Sequence, residues 1–373
     1  MGAASGGATI RAVVAHGPGD VRLDEMPMPV PRPGEVAVQI RYGGICGSDL
    51  HYWRHGRVGD FYLREPLVLG HEVVGTRLDD GAPVAVYPAT VCGQCPSCRE
   101  GRSNLCAAVR YLGSAALMPH VQGGLADVLV VPAGQVVPLP AGLDLVTAAV
   151  AEPAGVAWHA VSRIGDVRGA AVLVAGAGPI GALVVAALRT AGAGYIVVTD
   201  VAATPLERAT ALGADAVVDV AGMTPDDVAA AVRGEYGVDA AVESSGTSAG
   251  LGACVRAVRR GGRVVSLGLL PPGDSPFPGN LVVTREIELV GTFRFQQPQF
   301  LEVLDALADG SLQTGPVVSH VLPVTAAAEA FPLAGDPHLS GKVLLDLAAT
   351  EPGHGAHETH ELHGAGGTGG AGR

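Results

Sequence analysis

The sequence predicts an α/β protein in two parts: a β-rich region, and a doubly wound parallel sheet inserted into it. Three observations carry this. From about residue 160, apolar strand-like runs alternate with helix-like stretches, the pattern of βαβ units. Residues 11–150 instead break into short apolar runs punctuated by Pro and Gly, which suits antiparallel strands. The chain, at 373 residues, is also longer than one domain usually holds.

In order, Val36–Ile40, Val84–Val86 and Ala126–Val131 are the clearest strand candidates of the β-rich part. Ala171–Ala175 opens the alternating part, followed by a glycine turn and the helix-like Ile180–Ala191. Tyr195–Thr199 is the next strand. Thr204-Pro205-Leu206-Glu207 then reads as a capping box with Pro at the first helical position, and Thr224-Pro225-Asp226-Asp227 repeats that logic. Strands at 238–242, 263–267 and 287–290 complete the series, and Lys342–Leu347 returns the chain to the β-rich part. The tail from Ala348 to Arg373 is rich in Gly and His with little apolar content, so disorder is expected, and His354, His357, His360 and His363 recur in it at every third position.

Composition narrows the function. With 24 basic and 36 acidic residues the formal charge is −12, which argues against nucleic acid or an anionic membrane surface as a partner. Lys342 is the sole lysine, leaving little room for Schiff-base or lysine–phosphate chemistry. Gly and Pro fall just below the roughly 25–30% that marks disordered chains. Residues 1–11 have no apolar core to act as a secretory signal. Gly169–Leu188 is uncharged over about the length of a membrane span, yet Gly176, Gly178, Pro179 and Gly181 interrupt it. A soluble, cytoplasmic protein is expected, and there four cysteines crowded into 92–106 signal metal before disulfide.

Three constellations carry chemistry. Gly176-Ala177-Gly178-Pro179-Ile180-Gly181 matches GxGxxG between a strand and a helix, where backbone can approach a pyrophosphate held at the helix N-terminus. Asp200 ends the next strand, placed to accept from the adenosine ribose hydroxyls and to repel a 2′-phosphate, which favours NAD over NADP. Cys92, Cys95, Cys98 and Cys106 supply four soft ligands, suited to a closed tetrahedral zinc site. Cys46, His71 and the carboxylates Glu72 and Glu152 could together form a second zinc site with a position left for water or substrate.

The segments GGICGSDLHYW at 43–53, GHE at 70–72, the four-cysteine lobe, GAGPIG and the terminal SGKVLLDL resemble, in order over about residues 10–347, the zinc-containing medium-chain dehydrogenases. Glu152-Pro153 resembles the polyol branch of that family, and the stretches 51–75, 110–131 and 291–295 are most similar to members that oxidise L-idonate. The resemblance implies a GroES-like β-rich catalytic domain over 10–158 and 292–347 and a Rossmann NAD-binding domain over 159–291, meeting at a cleft. It also implies a homodimer or homotetramer acting on a small polyol or sugar acid, with two zinc ions per chain and NAD.

By the same resemblance Cys46 and His71 are catalytic zinc ligands, with Glu72 or Glu152 completing the shell. Asp49 would orient His71, Ser48 would bond the reacting hydroxyl, and His51 would pass its proton to solvent. Tyr52, Glu152 and Arg294 match substrate contacts. Gly176, Gly178, Pro179, Ile180, Gly181, Asp200, Leu267, Gly268, Leu269, Phe293 and Arg294 match cofactor contacts. Cys254 matches no ligand and is expected in the core. Where relatives often carry a basic residue after the Asp200 position, this chain has Thr204 and Pro205, and its Thr76–Pro83 loop is short. The competing readings are a sorbitol- or xylitol-type polyol dehydrogenase, an L-threonine dehydrogenase, and a zinc-stabilised nucleotide-binding protein without activity.

Overall fold

The computed structural model describes residues 8–232 and 234–349, so the histidine repeat lies outside the described residues. Six parallel strands form one sheet, in the order Ala216–Asp219, Tyr195–Asp200, Ala171–Ala175, Val238–Glu243, Val258–Ser266 and Glu288–Gly291. Leu173, Val174, Ala241, Val242, Val264 and Val265 are fully buried, as a sheet covered on both faces requires. The chain runs outward in both directions from Ala171–Ala175. That places a crevice at the carboxyl ends of Ala171–Ala175 and Val238–Glu243, which is where open α/β sheets take ligands.

The second sheet orders its strands Val136–Pro138, Pro83–Val86, Glu72–Arg77, Glu35–Gly44, Lys342–Asp346 and Val318–Pro323, with Val128–Pro132 also paired to Glu35–Gly44. The short loop expected between 76 and 83 closes a regular antiparallel pair, with Thr76 opposite Pro83. Gly44 lies opposite Glu72 on one side and Leu344 on the other, so this register alone brings residues near 44, 72 and 342 together. A smaller sheet joins Asp20–Pro27, Thr9–Gly17 and Leu67–Val68.

The helix Ala151–Ile164 connects the two parts and packs on the helices Pro179–Thr190 and Gln297–Ala308. The boundary expected at 158/159 therefore falls within a continuous helix. Among the described residues no helix is long and apolar enough to cross a membrane; within the uncharged 169–188 run, a strand ends at Ala175 and a helix starts at Pro179.

One expected cap is corrected. The helix after Asp200 spans Ala203–Ala211, starting before Thr204, whose hydroxyl donates to the His338 carbonyl instead. The Asp200 carboxylate accepts from the Val201 and Ala202 amides and so sets the turn one residue early. Pro205 is tolerated because first-turn amides have no helical partner. Thr224 and Asp227, in contrast, cap each other reciprocally as the pattern predicts.

Candidate functional site

Cys46 precedes the helix Gly47–His55, where the chain leaves extended geometry, so its thiol sits at a rigid corner. His71 and Glu72 follow Gly70, whose φ of 90° permits the sharp approach to the strand Glu72–Arg77. The ligand atoms of Cys46, His71 and Glu72 lie within 4.8 Å of one another. His71 Nδ1 and Glu72 Oε2 are buried without a hydrogen-bond partner. A side chain at position 44 could not coexist with this carboxylate, since its Cβ would lie 2.0 Å from Glu72 Oε2.

The surroundings are those of a cation site. Burial alone would push the His71 imidazole down, but the Cys46 sulfur, Glu152 and Asp49 together raise it well above its usual range. One soft thiolate, one imidazole and a carboxylate oxygen left unpaired make a donor set that fits zinc with a coordination position to spare. Glu152 stands beside this set on Ala151–Ile164. Its Oε1 accepts from the Tyr111 hydroxyl at 2.5 Å, and burial together with Glu72 raises its carboxyl to about 7. With Glu152 Oε1 held by Tyr111 and Glu72 Oε2 free, it is Glu72 whose oxygen lies with the Cys46 and His71 ligand atoms.

Asp49 makes no hydrogen bond to His71, although its charge helps to raise that imidazole. It is fully buried, and its two oxygens accept from the amides of Cys46 (2.9 Å) and Gly70 (3.2 Å). It thus ties together the two backbones that carry Cys46 and His71, acting through the main chain. Lys342, discounted by composition, is buried at 3% exposure, and its ammonium donates to Glu72 Oε1 at 2.7 Å and to the Ile45 carbonyl at 3.1 Å. Nothing local in the sequence signals this pair; it arises from the register on either side of Gly44.

Around this cluster, Ser48 is half-buried and His51 exposed on the same helix, with burial, His55 and Arg54 lowering the His51 pKa. Tyr52 is buried and its hydroxyl accepts from the Ala115 amide, so it braces the 112–115 segment. Arg294 has a left-handed φ of 56°, and its guanidinium lies 4.5 Å over the Tyr111 ring and 4.6 Å over Phe293. Burial lowers its pKa against the pull of Tyr111, Tyr87 and Glu152. The Phe295 ring beside it packs on Gly155, where a Cβ would lie 2.8 Å away; this close approach seats the loop on the helix that carries Glu152.

At the other site, each glycine of the motif has a distinct use. Gly176 turns with φ of 95°, Gly181 allows the helix to lie on the Gly176 carbonyl, and a Cβ at Gly178 would meet open space. Gly178 precedes the helix Pro179–Thr190, so free amides face that space. Asp200 accepts from the Ala177 amide at 2.7 Å, which braces the turn from the next strand. Leu269 and Phe293 are exposed, on the loops that follow Val258–Ser266 and Glu288–Gly291.

Sequence reasoning missed Glu243 at the end of the adjacent strand. Fully buried, it accepts from Ser245 Oγ and the Gly246 amide, while its carbonyl accepts from the Leu267 and Gly268 amides, linking the loops that line the crevice. Asp200→Ala should weaken NAD by about tenfold or more through loss of charge-assisted hydrogen bonds and should narrow its lead over NADP. Fluorescence titration with NADH and NADPH measures both, and a wild type that already prefers NADPH would refute the assignment.

The four thiols of the lobe also lie within 4.8 Å of one another. Backbone amides of Ala107 and Cys98 lower the Cys95 thiol to about 6, as suits a metal-binding thiolate. Cys254 is fully buried in the helix Ser248–Ala257, where burial pushes its thiol up, consistent with a core residue. Cys98→Ser should remove one zinc per chain and lower the melting temperature, because a structural zinc contributes folding free energy; metal analysis beside a thermal melt reads both.

Residues 32–141 match the alcohol dehydrogenase GroES-like domain and residues 179–309 the zinc-binding dehydrogenase domain. L-idonate 5-dehydrogenase (NAD(P)(+)) of Escherichia coli is 38% identical over 315 residues, covering 83% of this chain and 90% of that protein. Sorbitol dehydrogenase of Bos taurus is 35% identical over 331 residues, covering 86% and 91%. The crystal structure of the E. coli L-idonate 5-dehydrogenase superposes with a TM-score of 0.85 at 36% identity, over 91% of this chain and 98% of that one. The chain therefore belongs to the zinc- and NAD(P)-dependent medium-chain dehydrogenases, in the group that acts on polyols and sugar acids.

Proposed function

We propose that this enzyme oxidises a secondary hydroxyl of a sugar acid, L-idonate to 5-keto-D-gluconate, with NAD as hydride acceptor. The observation that carries the reading is Arg294. Its guanidinium is half-buried against two aromatic rings near Glu152, and no carboxylate of the described residues forms an ion pair with it. A half-buried cation of this kind matches a substrate carboxylate, which Arg can bind through two parallel hydrogen bonds. Of the arginines on the stretches 51–75 and 110–131, Arg57 donates to Tyr62 Oη and the Gly59 carbonyl, and Arg110 is exposed. The likeness to L-idonate 5-dehydrogenase points the same way.

Zinc and NAD, when bound, supply a Lewis acid for the reacting hydroxyl and an acceptor for the hydride. Cys46, His71 and Glu72 hold the metal, braced by Asp49 through the backbone. Ser48 Oγ hydrogen-bonds the hydroxyl and His51 carries its proton to solvent, where the ring stands exposed. Glu152 Oε2 accepts from the neighbouring hydroxyl, a contact ethanol cannot offer. On family likeness the reading extends to a homodimer or homotetramer in the cytoplasm.

Sorbitol dehydrogenases of similar identity make a neutral polyol the second reading. Comparing kcat/KM for L-idonate, D-gluconate, D-sorbitol, xylitol and L-threonine at the NADH absorbance separates them. Arg294→Gln should cost L-idonate about a hundredfold in kcat/KM, the scale of losing a buried charge pair, and sorbitol far less. A clear wild-type preference for sorbitol defeats the sugar-acid reading and leaves the zinc site standing.

A further inference from the structure

A cavity of about 510 Å³ lies on the outer side of the loop that carries Arg294, walled by the cysteine lobe, the helix Ala151–Ile164 and residues 291–299. None of the candidate zinc ligands and none of the GxGxxG residues lines it. Its wall contains Arg102, Arg163, His159, Asn104 and Gln296, and no carboxylate.

Among the described residues nine arginines are ion-paired with Asp or Glu, from Arg11 with Asp127 to Arg263 with Glu288, and twelve are not. Arg102 and Arg163 have no such pair and no side-chain hydrogen bond, although the chain carries an excess of acid. Uncompensated cations in a concave wall focus potential and concentrate anions.

The interior supplies donors as well. Asn104 Nδ2 donates to the Phe293 carbonyl at 3.0 Å and faces His159 Nε2 at 3.4 Å. Burial and Arg163 lower the His159 pKa while Gln299 beside it raises it, so the ring is a polar group in the wall. His159 is itself more than nine-tenths buried, and the nearby Thr292 hydroxyl is also buried without a partner. Two guanidinium groups, a buried imidazole and an unpartnered hydroxyl line a space large enough for a small metabolite.

We infer that this cavity is a binding site for a multivalent oxyanion, a phosphate-bearing or polycarboxylate metabolite, that uses none of the zinc ligands or the glycine-rich turn and shares only Phe293 with the cofactor contacts. Arg102 and Arg163 hold the charge at the rim, and the donors deeper in the wall fix its orientation. Because Gly291–Phe293 line the cavity and lead directly to Arg294, an occupant presses on the loop that presents that guanidinium.

The test is isothermal titration of the zinc-loaded enzyme saturated with NADH, which keeps a probe out of the glycine-rich turn. Inorganic phosphate and citrate are titrated separately, with ionic strength held constant by sodium chloride. Saturable one-to-one binding of either is expected, with phosphate the stronger probe for a phosphate-bearing ligand and citrate for a polycarboxylate. The double variant Arg102→Ala/Arg163→Ala should weaken it at least tenfold. Arg168→Ala, an exposed arginine outside the cavity wall, should leave it unchanged. Both rim arginines are exposed, so circular dichroism should show a folded double variant. No saturable binding of either probe in the millimolar range, or equal binding by the double variant, overturns the inference.

Discussion

Replacing Cys46 with alanine is expected to abolish measurable alcohol oxidation while leaving NADH binding close to wild type. Cys46 supplies the thiolate of the Cys46–His71–Glu72 set, and a Lewis acid contributes several kcal/mol at the transition state, so its loss costs about three orders of magnitude or more in kcat. The glycine-rich turn lies on a different sheet and does not depend on this corner. Metal analysis should find one zinc per chain instead of two. Loss of NADH binding together with activity would mean that Cys46 holds the fold and not the metal.

Lys342→Met should be the most destabilising single change outside the metal ligands. Its ammonium and the Glu72 carboxylate are both almost completely buried, and breaking one side of such a pair strands the other charge at a cost of about 3–5 kcal/mol. Chemical denaturation of the zinc-loaded protein measures the loss. Lys342→Arg should lose less, because it keeps the charge, and the double variant Glu72→Gln/Lys342→Met should recover part of it. Equal stability of wild type and Lys342→Met would show that zinc alone balances Glu72.

What could be read from the sequence was whatever is encoded locally. The glycine turn between strand and helix, the four-cysteine lobe and the alternation of elements each lie within a few tens of residues, where spacing constrains geometry. The strands near 36, 84, 126 and 171 were placed within a few residues of their observed ends. What escaped depends on register between distant strands. No spacing rule joins position 72 to 342, and composition pointed away from lysine. The backbone partners of Asp49 escaped for a similar reason: they become neighbours only when Gly70 is folded over the start of the helix Gly47–His55. Glu243 gave no signal because a lone acid at a strand end is common, and its worth lies in the two loops it links.

The Glu72–Lys342 pairing also has a consequence for biosynthesis, since it spans 270 residues of chain. The four cysteines of the lobe are complete once a growing polypeptide has passed residue 106, so that centre can load its ion while most of the molecule is still unmade. Glu72 is synthesised early too, but its counter-charge arrives only with the strand Lys342–Asp346, 270 residues later. A ribosome-bound intermediate therefore carries one finished metal centre and one that is electrostatically open. Chains truncated before residue 342 should keep the first and fail at the second, which makes synthesis of the strand Lys342–Asp346 the step at which the nascent enzyme becomes competent.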